Sequence, residues 1–207
     1  KTYLARATNI TKYTEGRFGG IHGLATEAPA LPGPPHPERQ PLPEPEAWMP
    51  EGRVALLLTE DDLSPSWLLE GGLAPSSIAC LLSAHGRSPL EVAQSVMDFT
   101  KGAAEDALAR YGDRCGGAGP ITQEPREVVD WATALGVSQV VSPLAPVGPG
   151  AKAQRRLRDA LADAGIDLVR PIRPYDAAAW PYATAGFFKF KEKIPTLVGQ
   201  MKGLRAA

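Results

Sequence analysis

Three carboxylates stand together at Glu60, Asp61 and Asp62, directly after Thr59 and a continuous apolar run, Val54 to Leu58. Such a group can coordinate a divalent cation or accept hydrogen bonds from ligand hydroxyls. It can equally be solvated surface, or a charge complement to the start of a helix. Ser83 and His85 follow a second apolar run, and Ser142-Pro143 a third. No serine or cysteine nucleophile stands beside His85 in a recognisable motif, so a surface loop histidine is the plainer reading. Gly148-Pro149-Gly150 precedes a helical pattern and resembles a phosphate-cradling turn. Pro149 removes one donor from it, which favours an ordinary connecting turn. The chain has no GxGxxG after a strand and no GxxxxGK[ST].

The elements that must position these residues are legible between Glu124 and Tyr175. Val128, Trp131, Ala132 and Leu135 recur at helical spacing, Gly136 offers a left-handed cap, and Val137 to Val141 reads as a strand. The unit repeats with Leu157, Ala160, Leu161 and Ala164, then Gly165, then a strand from Ile166 to Val169. Upstream, Val54 to Leu58 has the unbroken apolar character of a strand buried on both faces. Ser77 to Leu82 is a further strand. Ser64-Pro65 is expected to cap a short helix, and Ser88-Pro89 a long one over 89–111 with Val92, Val96, Phe99, Ala103, Ala107 and Leu108 on its core side. A last helical pattern, Thr184 to Met201, is expected to break at Pro195. There Phe187, Phe190 and Ile194 take core spacing, with Lys189, Lys191 and Lys193 outward. The same aromatic–basic cluster, with Trp180 and Tyr182, could instead stack on a pigment or on bases.

Alternating helices and strands with right-handed crossovers predict a Rossmann-like open α/β fold. Its sheet is mostly parallel, of four to five strands, with helices on both faces; the fifth strand is sought near 113–121. Ligands of such sheets sit beyond the strands' carboxyl ends. Thr59, Glu60, Asp61 and Ser142 are therefore the candidate cofactor-binding residues, lining a strand-end cleft; no catalytic residue and no metal ligand is assigned.

Residues 1–27 form an irregular arm mixing aromatic and basic residues, where Thr8 or Asn9 could cap a short helix. Residues 28–50 carry nine of the 21 prolines and read as an extended linker. Residues 51–207 are the α/β domain. A 207-residue chain that is 43% hydrophobic supports one sizeable core. A formal net charge of −1 gives no global basic field for nucleic acid. Two cysteines without metal-type spacing suit a reducing, cytoplasmic setting, and no apolar run is long enough to span a bilayer.

Together these residues resemble the α/β domain of the DNA photolyase and cryptochrome family. Ala134-Leu135-Gly136, Val140-Val141-Ser142-Pro143 and Ala164-Gly165-Ile166 resemble its helix–strand steps, and Thr59 to Leu63 its acidic, leucine-bearing loop. Lys1 to Phe18 resembles the end of the helical FAD-binding domain in a photolyase-related bacterial group. The resemblance implies a C-terminal fragment in which the flavin domain comes first, the reverse of the usual order. It implies FAD held mainly upstream of this chain, a partner FAD-binding domain, DNA as a partner of the intact protein, and a cleft that holds an antenna pigment or nothing. The parent would be a deoxyribodipyrimidine photo-lyase or a photoreceptor, and this fragment alone would be inactive. A stand-alone nucleotide-binding module and a non-enzymatic interaction domain are the alternatives.

Overall fold

Val54–Thr59 forms β1, and all six of its residues are buried. Alternate side chains point to opposite faces of a strand, so a run apolar at every position must be covered twice. The computed structural model shows both covers. It describes residues 4–20, 22–29, 33, 35, 38 and 40–204. Val54, Leu56 and Leu58 pack with Leu68, Ala104, Ala107 and Leu108 on one face. Ala55 and Leu57 pack with Val128, Ala132, Leu157 and Leu161 on the other. The helices that supply these residues are α2 (Ser66–Glu70) and α3 (Gln94–Tyr111) on the first face. On the second they are α4 (Pro125–Leu135) and α5 (Pro149–Asp163).

β1 is the central strand of five. The others are β2 (Ile78–Leu81), β3 (Ala118–Thr122), β4 (Gln139–Val141) and β5 (Asp167–Val169). Their order is β3-β2-β1-β4-β5 and every pairing is parallel. This is the open Rossmann-like α/β fold expected from the sequence. The chain winds outward through β2 and β3, then returns to the other side of β1, which places a topological switch point between β1 and β4. The fifth strand lies at 118–122, and Gly136 and Gly165 take left-handed backbone at φ 63° and 71° where α4 and the α5 turn end.

Several expectations need correction. Ser64 does not cap α2; its own N–H donates to Asp62 Oδ1 at 3.1 Å, and Pro65 occupies the cap position. Ser88 likewise closes only a local turn, accepting the Leu90 N–H, and α3 begins at Gln94. The buried face also differs from the expected one: α3 buries Thr100, Ala104, Ala107, Leu108 and Tyr111, while Phe99 is 78% exposed. The C-terminal pattern divides into α7 (Phe187–Phe190), a 3-10 turn Lys191–Lys193, and α8 (Ile194–Leu204), so Pro195 falls in the first turn of a helix, where a missing N–H costs nothing. Phe187 is exposed and is not a core residue.

The chain divides into two compact units, Lys1–Gln40 and Pro41–Ala207. The first holds α1 (Ala7–Tyr13), which begins after Arg6, so Thr8 and Asn9 lie inside the helix and do not cap it. Much of the proline-rich stretch before residue 40 lies outside the described residues. Residues 41–50, read above as linker, belong to the α/β unit. Trp48 packs on the first core face. Glu46 binds Arg158 and Arg170 at 2.7 and 2.9 Å, and its carboxylate accepts the Arg170 N–H.

Candidate functional site

β4 ends opposite Leu56 of its neighbour β1, which runs on to Thr59, and beyond their carboxyl ends lies an open cleft of about 710 Å³. Thr59 and Asp61 form its floor beside Pro143, and the segment from Arg173 to Phe190 forms its far wall. That wall carries α6 (Pro174–Ala179) and a 3-10 turn, Trp180–Tyr182. Tyr175, Trp180 and Phe190 give it flat aromatic surfaces. Leu197 of α8 is buried, which anchors the C-terminal helix.

Two polar side chains fix the cleft's shape. Arg173 Nη2 donates to both Asp62 oxygens at 2.7 Å and to the Ser64 carbonyl at 3.2 Å, and its guanidinium lies 5.7 Å from the Trp67 ring. The wall is thereby tied to the loop after β1. Gln154 of α5 is fully buried. Its Nε2 donates to Ser142 Oγ at 2.9 Å and to the Pro143 carbonyl at 2.7 Å, while its Oε1 accepts the Ala145 N–H at 3.1 Å. A buried amide with these partners locks the loop between β4 and α5.

The four candidate residues separate accordingly. Thr59 and Asp61 reach the cleft. Ser142 does not; it is fully buried and held by Gln154. Glu60 turns the other way. Its carboxylate accepts the Ser83 N–H at 2.9 Å and the Ser83 hydroxyl at 2.9 Å, stitching the ends of β1 and β2 together. His85 sits on an exposed 3-10 turn, Ala84–Arg87, and does not line the cleft. Among the described residues no group of three or more His, Cys, Asp or Glu could hold a metal ion. The acidic run thus splits: Glu60 braces the sheet, Asp62 pairs with Arg173, and Asp61 is left facing the cleft.

Asp61 accepts no hydrogen bond among the described residues, and Arg87 Nη2 lies 3.7 Å from its Oδ1. Burial, followed by the neighbouring Glu60 charge, holds its carboxyl above the ordinary value, against the pull of Arg87. On its other side the carboxylate is lodged against the first turn of α5: a Cβ on Gly150 would collide with Asp61 Oδ2. Gly150 is therefore required for this close approach.

Sequence reasoning missed Arg173 and Tyr175 as cleft residues, because they reach it from well over one hundred residues after β1. The aromatic–basic cluster gave a partial signal. Trp180 and Phe190 line the cleft, whereas Phe187 and Phe188 are exposed and meet edge to face at 5.8 Å. Among the described residues no helix is long and apolar enough to cross a membrane. No family model, curated protein or solved structure matches this chain.

Proposed function

We propose that this chain supplies the α/β domain of a photolyase/cryptochrome-like flavoprotein, with FAD bound by residues that precede it and a pigment held in the strand-end cleft. The observation that carries the reading is the aromatic-walled cleft at the switch point of the sheet, in the segment whose residues resemble that family. Tyr175, Trp180 and Phe190 offer flat faces on which a conjugated ring can stack. The fixed Arg173–Asp62 pair keeps that wall in place without a ligand, as expected of a preformed pocket. No residue of this chain is assigned to FAD, because in the family it resembles the flavin-contacting residues lie upstream of the segment that Lys1 to Phe18 resembles. Light-driven DNA repair or photoreception by the intact protein, and a cytoplasmic setting, belong to the same reading.

The test is an absorption and fluorescence-excitation spectrum of this chain joined to its upstream sequence, beside the 207-residue chain alone. Flavin bands in the longer protein only, with a second chromophore that sensitises flavin emission, are expected. Absence of flavin from both proteins overturns the reading.

A further inference from the structure

We infer that the outer face of the C-terminal segment docks single-stranded nucleic acid, read through base planes and phosphates and not through sequence. Phe187, Phe188 and Tyr182 are exposed, Phe188 by 74%, and none of the three lines the cleft. The inference therefore does not depend on what the cleft binds. Lys189, Lys191 and Lys193 are interleaved with these rings along the chain and are also exposed. Lys191 Nζ lies 5.0 Å from the Phe188 ring centre, and Lys193 Nζ 5.5 Å from that of Tyr182. The ion pairs among the described residues involve none of these lysines. From Trp180 to Leu204 the chain has four lysines against one carboxylate, Glu192, although its overall net charge is −1. The basic field is thus local, and the partner it attracts is anionic. Exposed rings between the charges call for a partner with flat faces as well. Single-stranded nucleic acid supplies both, since bases stack on the rings while the ammonium groups take the backbone. A duplex keeps its bases stacked on one another. The Phe187 and Phe188 planes, 66° apart, receive two bases only when these are splayed. Two other occupants fit worse. A helix lying on a membrane keeps its apolar and charged side chains on opposite faces, whereas here Lys191 stands over Phe188 and α7 is a single turn of four residues. A second copy of this chain would set the same lysines against each other.

The probe is a fluorescently labelled oligothymidylate, titrated with the full 207-residue chain and followed by anisotropy. Binding is expected at about 1–100 μM in low salt. The three exposed lysines give a slope of about −2 in log K against log salt, about 0.7 for each. Phe188→Ala should weaken binding at least about fivefold and leave that slope alone, because the ring stacks and carries no charge. Lys191→Gln should reduce the slope by about 0.7. Both side chains are exposed, so neither change disturbs the core. Oligouridylate should bind within about twofold of oligothymidylate, and a duplex of the same length at least about fivefold more weakly, since it offers no free base face. Duplex binding as tight as single-strand binding, or full affinity in F188A, overturns the inference. So does an absence of oligonucleotide binding, and co-sedimentation with phosphatidylglycerol vesicles would then assign the patch to a membrane surface.

Discussion

Gln139 holds Met49 with both ends of its side-chain amide: Oε1 accepts the Met49 N–H at 2.9 Å, and Nε2 donates to the Met49 carbonyl at 3.3 Å. Gln139 opens β4 and is 1% exposed, whereas Met49 is 52% exposed, so water reaches the Met49 side of the pair. Gln139→Leu should lower stability by about 0.5–1.5 kcal/mol, the net worth of ordinary part-buried hydrogen bonds. Urea unfolding of the two proteins reads this directly, and an unchanged midpoint would show that the Gln139–Met49 pair contributes nothing to stability.

Glu46 secures the same segment at the other edge. Burial raises its carboxyl, but hydrogen bonds from Arg170 and Arg158 outweigh it and leave the group below its ordinary value of 4.5. A lowered folded-state value stabilises the fold above the unfolded value, and that contribution is lost as pH falls through the folded one. Glu46→Gln should therefore be less stable than the unsubstituted chain at neutral pH, with the difference closing progressively below pH 4.5. Thermal melts across pH 2–7 check this; a difference independent of pH would assign Glu46 a packing role and no electrostatic one.

What the sequence discloses here follows from how each residue is used. β1 was plain because burial on both faces demands an apolar residue at every position. β3 was faint because it is an edge strand whose Ala118-Gly119-Pro120 is exposed or half-buried. Pro120 is tolerated there for the same reason. The face of α3 was misread because Val96 and Phe99 are apolar but exposed, while Thr100 is buried with its hydroxyl donating to the Val96 carbonyl. Gln139 and Gln154 gave no signal at all. A glutamine in a sequence reads as surface, and only the fold reveals that each amide is buried and meets main-chain groups far along the chain or in the next loop. The candidate site was half legible for a related reason. Periodicity locates strand ends, which yielded Thr59 and Asp61, but it does not say which of three adjacent carboxylates turns inward.

The two thiols provide a test of core integrity. Cys80 lies in β2 at zero exposure, and burial followed by the nearby Glu60 charge pushes it up to about 12. Burial also raises Cys115, against the pull of Arg114. At pH 8 only about one Cys80 thiol in ten thousand is ionised, and the thiolate is the reacting species. Neither cysteine should react with an aromatic disulfide reagent in the native protein, and both should react when urea unfolds it. Rapid labelling without urea would mean that the first core face opens in the native state.

Asp61 should cost stability where Glu46 adds it. Its carboxyl is held above the ordinary value of 3.8 by burial first and by Glu60 second. A raised folded-state value means the charged form is the less comfortable one, so the penalty is absent below the unfolded value and fully present once pH exceeds the folded one. Asp61→Asn should melt higher than the unsubstituted chain at pH 7, and the two should converge below pH 3.8. Gly150→Ala acts on the same contact from the other side. Its new methyl meets Asp61 Oδ2 and must displace the carboxylate toward the cleft. Gly150→Ala should therefore be destabilising alone, although alanine is the better helix former. In Asp61→Ala, where only the Ala145 Cβ at 3.3 Å still crowds the new methyl, the same substitution should cost less than it does in the unsubstituted chain. Such non-additivity in a double-mutant cycle is the signature of direct contact. Additive effects would mean that Asp61 and Gly150 do not touch.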